Sequence, residues 1–213
     1  MFAMLAAIER SWPAMFAWLG IAFVIDGIDG TFARMLDVKR RLPRFSGEQL
    51  DLVIDYVTYV LIPAIALHLA GLLPGNSGLV LVATILLSSL YHFSDTASKT
   101  EDHCFVGFPA IWNIVAFYLF AFSPPSWLCA LVVVVCAALT FVPMRWVHPL
   151  RVERLWLLTI AMMAAWSVAA GAVIWSGFAS GGWPLAVLIV VAAYGVTLSV
   201  IWPWAETAGN GKF

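Results

Sequence analysis

Four aspartates stand where an apolar sequence has least use for charge: Asp26 and Asp29 in one apolar run, Asp51 and Asp55 at the start of the next. A carboxylate at the centre of a membrane helix costs about 2.5–3.5 kcal/mol on insertion scales, and less near the interface. Their spacing gives them a common direction. Asp26, Asp29, Gly30, Ala33 and Arg34 follow i, i+3, i+4, i+7, i+8, one stripe of a helix; Gly47, Asp51 and Asp55 follow i, i+4, i+8, a second stripe. Two such helices joined as a hairpin can bring all four carboxylates to one point. Hard oxygen ligands suit Mg²⁺ or Mn²⁺, and the lack of His or Cys in the group argues against zinc. Gly30, Ala33 and Gly47 leave the backbone open to a ligand, and Arg34 offers a forked donor for an anion. Carboxylates with metal, small residues and an arginine make a diphosphate site. Acids in a membrane also serve cation pathways or proton relays, and small residues serve helix packing. Neither alternative explains why acids, small residues and arginine share the same stripes.

The surrounding elements must be membrane helices. The chain is 63% hydrophobic and 11% charged, with a mean hydropathy of +0.95, against about 45–50% and about 25% for soluble domains. Apolar windows place about seven spans in an all-α, polytopic transmembrane bundle: Trp12 to Met35, Leu50 to Leu73, Leu79 to Phe93, Pro109 to Phe122, Trp127 to Trp146, Leu155 to Trp175, and Trp183 to Trp202. Turn chemistry separates several of them, at Pro74-Gly75-Asn76, Ser123-Pro124-Pro125 and Ser180-Gly181-Gly182. With that count, alternate loops hold ten of the eleven Lys and Arg residues, including Lys39, Arg40, Arg41 and Arg44, and only Arg10 falls on the other side. The positive-inside rule makes the charged side cytoplasmic. Trp12, Trp127, Trp183 and Trp202 sit at span ends, as interfacial rings do.

Residues 1–213 read as one transmembrane domain, with 12–73 as the acidic helix hairpin. Residues 1–10 read as the remnant of a first helix, because Glu9 and Arg10 interrupt the apolar stretch from Met1 to Ile8. A net charge of −1 gives no reason to expect nucleic acid, and Cys104, Cys129 and Cys136 have no metal-ligand or disulfide-framework spacing.

The run Asp26-Gly27-Ile28-Asp29-Gly30-Thr31-Phe32-Ala33-Arg34, then twelve residues, then Gly47 through Asp51 to Asp55, resembles the signature of the CDP-alcohol phosphotransferase family. The long gap is similar to that of the bacterial phosphatidylcholine synthase branch. Asp55-Tyr56-Val57-Thr58-Tyr59-Val60, Phe105-Val106-Gly107-Phe108-Pro109-Ala110-Ile111-Trp112-Asn113 and Val147-His148-Pro149-Leu150-Arg151-Val152 resemble that branch as well. The resemblance implies a reaction of CDP-diacylglycerol with choline, giving phosphatidylcholine and CMP. It implies two Mn²⁺ or Mg²⁺ ions held by Asp26, Asp29, Asp51 and Asp55, with Asp55 also taking the proton of the alcohol. Gly27, Gly30, Ala33, Arg34 and Gly47 would hold the nucleotide and its diphosphate. A homodimer in the bacterial inner membrane, with its site on the cytoplasmic side, is implied too. The branch carries eight spans, so residues 1–10 would be the end of a truncated first one.

A quaternary ammonium favours aromatic faces, and Tyr56, Tyr59, Tyr91 and Trp112 are the candidates near the cytoplasmic ends of spans. His68, His92, His103 and His148 read as structural or loop residues. The motif does not separate choline from serine, glycerol or inositol. A divalent-cation transporter and a non-catalytic remnant are the other readings.

Overall fold

Pro13 occupies the first turn of the long acidic helix, where no intrahelical bond needs its missing N–H. The computed structural model describes residues 1–42, 44–95, 105–143, 145–146 and 156–208. It begins with α1 (Phe2–Ile8), α2 (Trp12–Met35) and the short α3 (Val38–Arg41). The second acidic segment is continuous from Gly47 to Leu69, as α4 (Gly47–Asp55), a π-helical stretch (Tyr56–Leu61) and α5 (Ile62–Leu69). Then come α6 (Ser77–Ser94), α7 (Trp112–Phe122), α8 (Ser126–Leu139), α9 (Trp156–Trp175) and α10 (Trp183–Ala208). Among the described residues the chain is an all-helical bundle apart from one two-residue antiparallel ladder, β1 (Phe105–Val106) with β2 (Arg145–Trp146). Lys99, Glu101, His103 and Cys104, between the third and fourth expected spans, and His148, Arg151, Arg154 and Lys212 lie outside the described residues.

Every expected span corresponds to an apolar helix, and among the described residues four are long and apolar enough to cross a membrane: Trp12–Met35, Gly47–Leu69, Ser77–Ser94 and Trp156–Trp175. Two boundaries need correction. The helix expected to reach Trp146 stops at Leu139. Pro143 cannot continue the helix and biases its predecessor away from helical geometry. Before it, the Phe108 N–H takes the Leu139 carbonyl at 3.1 Å. Gly107, with φ +81°, lies against the Thr140 carbonyl where a Cβ would collide. The helix expected from Pro109 starts only at Trp112, so α7 has 11 residues and a rise of about 16 Å, roughly half the hydrocarbon thickness.

The π-helical stretch has a local cause. Pro63 sits in the first turn of α5, inside an otherwise unbroken helix. It cannot donate to the carbonyl four residues back, at Tyr59, and its ring crowds that carbonyl. A wider turn over Tyr56–Leu61 relieves the conflict. The Thr58 hydroxyl takes the Ile54 carbonyl at 2.9 Å, and the Tyr56 hydroxyl donates to the Leu86 carbonyl of α6 at 3.0 Å. The stretch is therefore tied to its neighbours.

Packing is uneven along the bundle. One end is closed. Met15, Phe16 and Leu19 of α2 are buried, and so are Val60 and most of α5. Phe16 packs its ring 5.2–5.5 Å from those of Phe117, Phe120 and Phe178. Ala3, Ala6 and Ala7 let α1 lie close against α2 and α5. The other end is open. No residue of α4 is buried, and Val24, Ile25, Ile28 and Phe32 of α2 are exposed, as suits surfaces facing lipid. The hairpin is thus gripped at one end and carries its acids at the other.

This contrast is testable. Leu67, fully buried, should cost about 2–5 kcal/mol when replaced by alanine. Val53→Ala, at an exposed site, should stay within about 0.5 kcal/mol. Unfolding titrations in detergent measure both.

Candidate metal centre

Helix α4 is started by Ser46, whose hydroxyl accepts the Gln49 N–H at 3.2 Å. Ser46 to Gln49 has the spacing of a capping pair. The cap sets the helical phase that puts Asp51 and Asp55 one turn apart on one face. Across from them α2 contributes Asp26. One carboxylate oxygen from each of Asp26, Asp51 and Asp55 lies within 4.8 Å of the others. Asp51 is exposed, Asp26 and Asp55 are half-buried, and the Asp55 Oδ1 is screened from solvent. The Tyr59 hydroxyl donates to the Asp26 Oδ2 at 2.7 Å, and its ring meets that of Phe23 edge-on at 6.3 Å.

The structure brings together three of the four expected aspartates. Asp29 is exposed and outside the trio. Three residues along a helix amount to about 4.5 Å of rise and about 60° of rotation, which carries its side chain toward the end of α2. Among the nucleotide-site candidates, Gly27 and Gly47 face open space: a Cβ there would meet no atom within 4 Å. Ala33 is exposed. A Cβ on Gly30 would lie 3.4 Å from the Arg34 Nη1, so the glycine gives the guanidinium room to lie back along α2. There Arg34 donates to the Thr31 hydroxyl at 3.1 Å.

The four aromatic candidates have different surroundings. Trp112 is fully enclosed, with its indole N–H on the Ser89 hydroxyl at 2.8 Å. Tyr56 is bound to α6, and Tyr91 packs against Phe141. Tyr59 belongs to the acidic cluster. That role was not foreseen, although Asp51, Asp55 and Tyr59 share i, i+4, i+8 spacing.

What the trio can do follows from charge. Two full charges 4.8 Å apart repel by about 3.5 kcal/mol at an effective dielectric constant of about 20, before solvent screening. Three such pairs, two between α2 and α4 and one within α4, favour a bound cation. An all-oxygen donor set of partly desolvated carboxylates fits a hard divalent ion, Mg²⁺ or Mn²⁺. The acidic cluster could therefore hold a metal ion.

No protein-family model matches the chain. Curated relatives do. It is 48% identical over 164 residues to the phosphatidylcholine synthase of Mesorhizobium japonicum, covering 77% of this chain and 61% of that protein. It is 50% identical over 170 residues to that of Bradyrhizobium diazoefficiens, covering 79% of this chain and 63% of the relative. With that of Rhizobium meliloti it shares 41% identity over 196 residues, 92% of this chain and 80% of the relative. The chain thus spans about three fifths of the first two relatives.

Repulsion within the trio predicts an inverted response to charge removal. In the presence of a chelator, Asp51→Asn should stabilise the fold by about 1–3 kcal/mol once screening is allowed for. Asp29→Asn should change it by less. Unfolding in detergent with and without added Mn²⁺ checks this, and a destabilised metal-free Asp51→Asn would contradict the electrostatic account.

Proposed function

The chain belongs to the phosphatidylcholine synthase family, among the CDP-alcohol phosphotransferases, and on that premise we propose that it transfers the phosphatidyl group of CDP-diacylglycerol to choline. The observation that carries this reading is the meeting of Asp26, Asp51 and Asp55 across α2 and α4, on the helices that also bear Gly27, Gly30, Ala33, Arg34 and Gly47.

In this reading Asp26, Asp29, Asp51 and Asp55 hold two Mn²⁺ or Mg²⁺ ions. When bound, the ions supply positive charge to the diphosphate and to departing CMP. The chain's own groups do the rest. Arg34 binds diphosphate oxygens as a fork, and the open surface at Gly27 and Gly47 admits the nucleotide close to the backbone. The choline oxygen forms a bond to the phosphorus that carries diacylglycerol, and the bond from that phosphorus to the CMP oxygen breaks. Asp55, half-buried beside Asp26 and Asp51, takes the hydroxyl proton. Held in line, the two substrates react without the entropy cost of a chance encounter.

The open, acid-bearing end of the bundle lies, in this reading, on the cytoplasmic side of the inner membrane, where choline and CMP exchange with water while the acyl chains stay among lipids. The exposed apolar residues of α2 and α4 accommodate those chains or the second subunit of a homodimer.

CMP release from CDP-diacylglycerol, measured with choline, serine, glycerol and inositol in turn, tests the proposal. Choline should support release, and a chelator should abolish it. Asp29→Asn and Asp55→Asn should each lower it at least about 100-fold, as loss of a ligand or proton acceptor does, without preventing membrane insertion. Release with another alcohol but not choline would replace the acceptor. No release with any alcohol, together with Mn²⁺ flux into proteoliposomes, would favour a transporter.

A further inference from the structure

Asp26 differs from the other two members of the trio in how it is held. Asp51 and Asp55 share α4 and keep their spacing through that helix, whereas Asp26 is the sole contribution of α2. At this level the open end of the bundle offers α2 little packing: Val24, Ile25 and Ile28 around Asp26 are all exposed. One residue reaches across. Tyr59 sets its ring edge-on to Phe23 and donates its hydroxyl to the Asp26 Oδ2 at 2.7 Å. Phe23 and Asp26 are one helical turn apart, so a single side chain grips α2 at two levels.

Tyr59 can do this because of its place in the chain. It lies in the π-helical stretch that Pro63 imposes directly after Asp55. Its hydroxyl is therefore delivered by the element that carries Asp51 and Asp55, and any motion of that element relative to α2 stretches the Tyr59–Asp26 bond. A phenol donating to one carboxylate oxygen restricts the rotation of that carboxylate. Ligands to metals characteristically need such outer partners, and their loss costs about 10–100-fold in metal affinity.

We propose that Tyr59 is a positioning residue for the metal centre, orienting the Asp26 carboxylate and locking α2 to the helix that bears Asp51 and Asp55. The inference rests on the metal-binding reading of the trio and goes beyond it in assigning Tyr59, whose hydroxyl acts through the Asp26 carboxylate.

The experiment is a Mn²⁺ titration by electron paramagnetic resonance in detergent, on the unaltered protein, Tyr59→Phe, Asp26→Asn and the double variant, with the metal-free thermal midpoint of each. Tyr59→Phe keeps the ring on Phe23 and removes only the donor. It should bind Mn²⁺ about 10–100-fold more weakly, raise the KM for Mn²⁺, and recover most of kcat at saturating metal. In the Asp26→Asn background the same change should cause no further loss, because the hydroxyl acts through that carboxylate. Unchanged Mn²⁺ affinity in folded Tyr59→Phe overturns the proposal. So does a full additional loss in the double variant, or failure of Tyr59→Phe to fold where Asp26→Asn folds, since each makes the hydroxyl a packing group. An unaltered protein that binds no Mn²⁺ removes the metal reading itself; binding that Asp26→Asn weakens and Tyr59→Phe does not removes only the role of Tyr59.

Discussion

Repulsion among the carboxylates of Asp26, Asp51 and Asp55 is the constraint around which the acidic end of this bundle is arranged. Each brings an oxygen within 4.8 Å of the others, from two helices that are only lightly packed at that level. Left to electrostatics, the helices would separate. What opposes separation is the grip at the far end, where Phe16 sits among Phe117, Phe120 and Phe178, and the reach of Tyr59 to Asp26 and Phe23. A divalent cation would turn the repulsion into attraction, which is the physical basis of the proposed function.

Closed packing at one end and openness at the other serve the same site. The proposed function needs a centre that admits a nucleotide headgroup and a water-soluble alcohol while leaving acyl chains in the bilayer. Unburied α4 and the open surface at Gly27 and Gly47 leave that room. Pro63 links the two ends. It stands next to the fully buried Ile62 and Ala64, yet its effect is felt four residues earlier, in the widened turn that carries Tyr59.

Much of this was legible in residue types and spacing. The acidic stripes on α2 and α4 followed from helical periodicity, because i, i+4 positions in one helix must share a face. The boundaries of α2 and α9 were readable from apolar windows bounded by polar breaks. The rest depends on contacts that periodicity does not encode. Asp29 shares a stripe with Asp26, but a three-residue step rotates short of a full turn, and it lies outside the trio. Tyr59 and Asp26 are 33 positions apart, so their bond was invisible until the hairpin closed. The end of α8 at Leu139 is set by Gly107 and Phe108 arriving from another segment. Trp112 is closed to a ligand for a similar reason: its polar edge is on Ser89 and its faces are in the core, a commitment that composition alone could not reveal.

The central claim is that one divalent ion can be shared by α2 and α4 through these carboxylates. Anomalous scattering from crystals grown with Mn²⁺ addresses it directly. The account predicts a peak about 2.1 Å from carboxylate oxygens, the distance a small hard divalent cation demands, with Asp26 on one side and Asp51 and Asp55 on the other. A peak bound by one helix alone, or the three side chains turned apart with no metal between them, would contradict it.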